Sequence, residues 1–284
     1  MFIYRKITSI DAQQWAFLSA TLDTLDKYLY LYIALLLVFA FSNYALESLK
    51  WKLLTRHIKI LSFWSSLEQV VASHTAAMIT PARLGEFGVR ALYFAPRHST
   101  EIMGLTLVGN IAQLLSTLIF GIVGAAVIVH SYYEQYLLYF YFFLGCICIG
   151  FGVWYYFKAS SHFNLRNVQV LGYALGRYAI FSHMTFFLLV GLGMNLPYVL
   201  SMACISMMYM GSSFIPSLQV FDAVIKGSIA IFVFGLFGDF TLIVLCAATI
   251  GWIFNAMLPA MVGSYFILRF DTAQIFSRKL LNDK

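Results

Sequence analysis

Residues 102–130 read IMGLTLVGNIAQLLSTLIFGIVGAAVIVH, without one Asp, Glu, Lys or Arg. A helix needs about 20 such residues to cross a bilayer. The runs at about 28–45, 136–157 and 240–268 have the same character, and 174–194 departs from it only at Arg177. In hydrocarbon every backbone polar group needs an internal partner, so only helices and closed barrels span. A barrel would show alternating segments of about ten residues, and none is visible. The expectation is an all-α, polytopic helical membrane protein.

Composition agrees. The chain of 284 residues is 61% hydrophobic and 11% charged, with a mean hydropathy of +0.82. Soluble domains carry roughly 25% charged residues. The net charge of +6 does not point to nucleic acid. The basic residues fall in short segments between apolar runs, as the positive-inside pattern requires. Segment 48–62, segment 158–172 and the tail 269–284 are basic, which places them and the C-terminus on the cytoplasmic side. The short loops 131–135, 195–197 and 237–240 carry no Lys or Arg and read as external. The four cysteines, at 146, 148, 204 and 246, lie in apolar runs and read as inert buried thiols. Trp51, Trp64 and Trp154 read as an interfacial belt.

Two segments interrupt this pattern. The first is Thr80-Pro81-Ala82-Arg83-Leu84-Gly85-Glu86-Phe87-Gly88-Val89-Arg90. The second is Ile215-Pro216-Ser217-Leu218-Gln219-Val220-Phe221-Asp222-Ala223-Val224-Ile225-Lys226. Each has a proline, an acid five or six residues on, and a base four residues after the acid. The residue before a proline is driven from helical geometry, and proline itself suits a first helical turn. Each break therefore predicts a helix restarting within the membrane, with Thr80 as N-cap of the first. Charge sides are satisfied if both segments, about 63–95 and 198–236, are re-entrant hairpins between about five full spans; two short spans per segment would give the same sides. An odd number of spans separates them, which inverts the second copy relative to the first. Broken helices in inverted repeats mark a transporter site.

The division expected is an interfacial segment at 1–27 with a short helix at 12–25 and no cleavable leader, one transmembrane domain at 28–268, and a basic tail. Intramembrane ionisable residues cost about 2.5–3.5 kcal/mol each, so five of them in lipid would cost on the order of 10 kcal/mol. Arg83, Glu86, Arg90, Asp222 and Lys226 must therefore face one another, a wet cavity or a polar ligand. They are the candidate substrate-binding residues. A bare helix N-terminus favours an anion, and Arg suits phosphate because its planar fork binds two oxygens. Supporting positions are Thr80, Pro81, Gly85, Pro216, Glu47, Asn110, Gln113 and Asn255. Arg177 reads as a snorkelling residue, and Asn255 with Pro259 as a kink in the last span. The scattered histidines carry no metal-ligand spacing, no catalytic or cofactor motif is present, and no cofactor is expected.

The stretch Asn43, Glu47, Lys50-Trp51-Lys52-Leu53-Leu54, the Thr80–Arg90 motif, and Trp252-Ile253-Phe254-Asn255-Ala256-Met257-Leu258-Pro259-Ala260-Met261-Val262-Gly263 resemble the lysylphosphatidylglycerol synthase transmembrane region, or flippase-like domain. The likeness covers about residues 28–268. It implies a flippase-like domain that moves phospholipids or lipid-linked molecules between leaflets of a bacterial inner membrane. The soluble aminoacyl-transferase domain often fused to it is missing here, so lipid lysylation is not implied. The second break departs from the family pattern in using Asp222 without a glycine-rich segment. Three functions compete: a lipid translocator whose partners are membrane lipids, a non-transporting scaffold or assembly subunit, and an intramembrane lipid-phosphate transferase.

Overall fold

The structure is a computed structural model that describes residues 12–132, 135–159 and 165–269. Every regular element among them is helical. In chain order these are α1 (Ala12–Asp26), α2 (Leu29–Thr55), α3 (Phe63–Ile79), α4 (Leu84–Leu92), α5 (Ser99–Tyr132), α6 (Gln135–Ala159), α7 (Leu165–Gly191), α8 (Tyr198–Ser213), α9 (Asp222–Phe234), α10 (Thr241–Trp252) and α11 (Leu258–Leu268). Short 3-10 turns precede α4, α5 and α9, and a π-turn, Ile253–Met257, joins α10 to α11. Four helical stretches are long and apolar enough to cross a membrane: Leu29–Thr55, Pro96–Ser131, Arg166–Gly191 and Thr241–Leu268. The chain is an integral membrane protein.

Its helices are built the opposite way from those of a soluble bundle. Along α2 the buried positions are Leu36, Ala40, Asn43, Tyr44, Glu47, Ser48, Lys50, Trp51, Leu54 and Thr55, the three- and four-residue spacing of one helical face. That face is largely polar in its C-terminal half. Tyr30, Leu31, Val38 and Phe41 point outward. Lipid accepts apolar side chains at no cost, so the outer face needs none of the polarity that water imposes.

Two apolar cores flank the middle of the molecule. One joins α7 to α10 through Met184, Leu188, Ile205, Met208, Ile231, Phe234 and Ala247. The other joins α2, α3, α5 and α7 through Trp51, Leu54, Val70, Ile102, Leu115 and Val170. Helices α3 and α4 pack on each other as a hairpin, and so do α8 and α9; the turns at their tips, Pro81–Arg83 and Gln219–Phe221, touch.

Several expectations require correction. The first span does not stop near Ala45 but continues helically to Thr55, so half of the basic segment 48–62 is helix rather than loop. Helix α4 starts at Leu84 and α9 at Asp222, not at the prolines. Cys146 and Cys148 are exposed, because α6 is packed chiefly on α5 and turns its other sides outward. Trp51 is fully buried, for a reason given below. The N-terminal helix is present at Ala12–Asp26; residues 1–11 and the tail beyond Arg269 lie outside the described residues.

The close approach of α11 to α3 rests on Gly263. A β-carbon there would lie 2.1 Å from the Val71 carbonyl oxygen and 2.3 Å from Thr75 Oγ1. Gly263→Ala is expected to lower stability by about 1–3 kcal/mol, the usual cost of overpacking. Gly172→Ala, in α7 with nothing near the new methyl, is expected to gain about 0.5–1 kcal/mol from reduced backbone entropy. Thermal unfolding of the two detergent-purified variants checks the opposite signs.

Candidate functional site

The first break is a tight knot. Pro81–Arg83 form a 3-10 turn in which Ala82 (φ 50°) and Arg83 (φ 61°) are both left-handed. For residues with a β-carbon this costs roughly 1–2 kcal/mol each. Thr80 secures the knot: its hydroxyl donates to the Ala76 carbonyl at 2.8 Å and accepts from the Gly85 amide at 2.8 Å. Gly85 is required there, since a β-carbon would sit 2.5 Å from the Ala76 oxygen. Thr80 thus closes the tip by reaching five residues ahead. The N-cap position of α4 itself is held by Arg83.

Helix α4 then presents Glu86 and Arg90 inward, both at most 2% exposed. Arg90 Nη2 lies 2.9 Å from Glu86 Oε1 and 3.0 Å from Glu47 Oε1. Its Nε donates to Ser73 Oγ at 3.2 Å. Its guanidinium lies over the Trp51 ring, 4.4 Å from the centroid. Trp51 in turn donates to Gln69 Oε1 at 2.8 Å. This is why Trp51 is interior: it is the floor under a buried cation, not an interfacial anchor.

Glu47 is the hub. Besides Arg90 it takes Lys50 Nζ at 2.6 Å and an Arg177 Nη1 contact. Lys50 also donates to the Gly109 carbonyl at 3.2 Å. Arg177 Nε donates to Asn43 Oδ1 at 2.9 Å. Arg177 therefore crosses from α7 to α2 instead of snorkelling outward. Glu86 additionally meets Arg83 Nη2 at 3.1 Å and Asn110 Nδ2 at 3.4 Å. The cluster holds four cations, Lys50, Arg83, Arg90 and Arg177, against two carboxylates. It keeps a surplus of two positive charges. Arg90 Nη1 and Gln113 Oε1 are buried with no protein partner.

Asn43, Glu47, Arg83, Glu86, Arg90, Asn110, Gln113 and Arg177 open onto one cavity of about 780 Å³, while Lys50, Trp51, Gln69 and Ser73 lie behind its lining. Arg83, Glu86, Arg90, Asp222, Lys226, Glu47, Asn110, Gln113, Asn255 and Pro216 all line it. Thr80, Pro81 and Gly85 do not; they shape the tip that carries Arg83. Asp222 and Lys226 form a separate pair at 2.6 Å, each side chain about a quarter exposed. Lys226 Nζ lies 4.9 Å from the Tyr209 ring centroid. Arg83 is the most open cation of the cluster, with 48% of its side chain accessible.

The expected anion site at bare helix N-termini is revised. Glu86 occupies the first turn of α4 and Asp222 begins α9, so each helix start is met by a carboxylate of its own. Positive potential comes from side chains instead. Sequence reasoning singled out neither Lys50, Arg177, Ser73 nor Gln69 as site residues. Only Lys50 and Arg177 carry a signal in the sequence, Lys50 as a cation three residues after Glu47 and Arg177 as a charge inside an apolar run.

Breaking a buried ion pair from one side costs about 3–5 kcal/mol because the partners are left uncompensated. Glu47→Gln strands three cations and is expected to lose that much, read as a lower unfolding midpoint in detergent. Asp222→Asn touches one partly exposed pair and is expected to lose under about 1 kcal/mol. Equal losses would contradict the assignment of Glu47 as the hub.

No family model matches the chain, and no curated protein or solved structure matches it.

Proposed function

We propose that the chain is a lipid translocator whose cavity receives the head group of an anionic or zwitterionic phospholipid or lipid-linked molecule. The observation that carries this reading is the charge of a chamber of about 780 Å³ in a membrane protein: its lining sets Arg83, Arg90, Arg177 and Lys226 against Glu47, Glu86 and Asp222, positive on balance amid apolar side chains. Positive charges in a low-dielectric surrounding are costly until a counter-charge meets them. Arg83 and Lys226 are the most accessible cations of the lining. They stand on different hairpins, so one phosphate between them would bridge both. Glu86 and Asp222, beside them, would meet an amine on a zwitterionic head group.

In this reading α3–α4 and α8–α9 are re-entrant hairpins in inverted repeat, and α2, α5, α6, α7 and α10–α11 are the five full spans. Rocking of one repeat against the other would expose the cavity to each side in turn. The resemblance to the flippase-like domain supports the same function, and the charge asymmetry of the loops supports a cytoplasmic C-terminus in a bacterial inner membrane.

The scaffold reading has one specific observation in its favour. Arg90, Glu47 and Arg177 are so fully engaged with protein partners that they serve the fold whether or not a ligand binds. The test therefore spares them. Native mass spectrometry of co-purified lipid compares the wild type with Arg83→Gln, Lys226→Gln. Retention of anionic lipid is expected to fall about tenfold, equivalent to 1.4 kcal/mol, in a variant with an unchanged unfolding midpoint. The same lipids in the same amounts in both proteins would leave the scaffold as the better account.

A further inference from the structure

Behind the polar cavity lies a second one of a different kind. It is a groove of about 590 Å³ between α2, α3 and α11, lined by apolar side chains such as Leu37, Phe41, Val71, Phe254, Val262 and Phe266. Leu37, Phe41 and Val262 are about half exposed, so the groove is open along its outer side. From Phe254 to Phe266 it follows the chain for about 18 Å at 1.5 Å per helical residue. An elongated apolar slot of that size on a membrane-spanning surface fits one hydrocarbon chain.

The two cavities lie on different sides of the same helices and share one lining residue. On α3, Val70 lines the polar chamber and Val71 the groove. At the π-turn, Asn255 faces the chamber and Phe254 the groove. Tyr44 of α2 lines both. Hydrogen bonds pin this wall: Tyr44 Oη donates to the Asn255 carbonyl at 2.9 Å, and Asn43 Nδ2 donates to Asn255 Oδ1 at 3.2 Å. His74 Nε2 pairs with the Ala256 carbonyl at 3.2 Å. The Asn255 carbonyl is free to accept because its α-helical donor would be the amide of residue 259, which is proline. A lone π-turn of this kind inside a helix often marks a functional site.

We infer that the groove seats an acyl chain of the same lipid whose head group enters the chamber, and that the Tyr44–Asn255 wall is the seam the lipid straddles. This rests on the translocator reading for the head group, but its own evidence is the continuity of groove and chamber through Tyr44. A polar head and an apolar chain joined by a short linker match a polar chamber and an apolar slot joined by one residue.

The test uses the full chain in vesicles containing a trace of phosphatidylglycerol with a photoactivatable group near the end of one acyl chain, in a large excess of phosphatidylcholine. Irradiation is expected to label peptides carrying Leu37, Phe41 and Val262 in preference to other lipid-facing segments. Val262→Trp, which fills the groove from its exposed rim, is expected to lower that labelling and transbilayer movement of the lipid about tenfold. Val123→Trp, an equally exposed site on α5 outside both cavities, is expected to leave both unchanged. Even labelling around all exposed helices, or a Val262→Trp variant that labels and transports normally, overturns the proposal. Arg83→Gln, Lys226→Gln separates the two readings. Loss of groove labelling there ties chain to head group. Retained groove labelling with unaltered lipid selectivity removes the head-group role and, with it, the claim that chain and head belong to one seated lipid.

Discussion

The carboxylate of Glu47 collects Lys50, Arg90 and Arg177 within a few ångströms, in a part of the protein where water is scarce. Three helices are committed by that single group: α2 carries Glu47 and Lys50, α4 carries Arg90, and α7 carries Arg177. In water such pairs contribute little. For side chains buried as Glu47, Lys50 and Arg90 are, the comparison is with uncompensated buried charge, so the pairing geometry becomes obligatory rather than optional. Secondary donors and acceptors finish the shell. Ser73, Asn43, Gly109 and the Trp51 face each take one open site on a cation, as buried charge requires.

Two carboxylates cannot neutralise four cations, so the cluster keeps positive charge that its own partners do not close. Here Arg83, the most accessible of the cations, is thrust forward by two successive left-handed residues. Backbone strain of that kind persists only where surrounding contacts over-determine it, and Thr80 and Gly85 supply those contacts. The tip is thus tied down by Thr80 while its arginine stays accessible, as the proposed head-group role would need.

Much of this was legible in the chain. Long apolar runs gave the helices, and a proline followed by an acid and a base at fixed spacing gave Glu86, Arg90, Asp222 and Lys226 as neighbours of one chamber. Spacing inside one helix is local geometry and reads directly. What failed to read depends on partners far along the chain. Arg177 lies 130 residues from Glu47, and nothing local distinguishes it from a snorkelling arginine. Trp51 looked interfacial because tryptophan beside lysines usually is; its burial follows from Arg90, which arrives from another helix. The helix restarts were misplaced for a related reason. Proline marks where a helix is broken, whereas the restart is set by tip packing, through Thr80 in one hairpin and the Gln219–Phe221 turn in the other.

Pro259 shows how a local defect becomes a long-range feature. Its missing amide leaves the Asn255 carbonyl without its usual donor, and a carbonyl unsatisfied in hydrocarbon would be costly. Tyr44, on α2, supplies the hydrogen bond, and Asn43 secures the same residue through its side chain. The helix that a proline would weaken is thereby tied to the helix that carries Glu47. The wall between chamber and groove is thus pinned by side-chain hydrogen bonds where the helical stretch Thr241–Leu268 passes through its π-turn, so a defect in one helix becomes a tie between two.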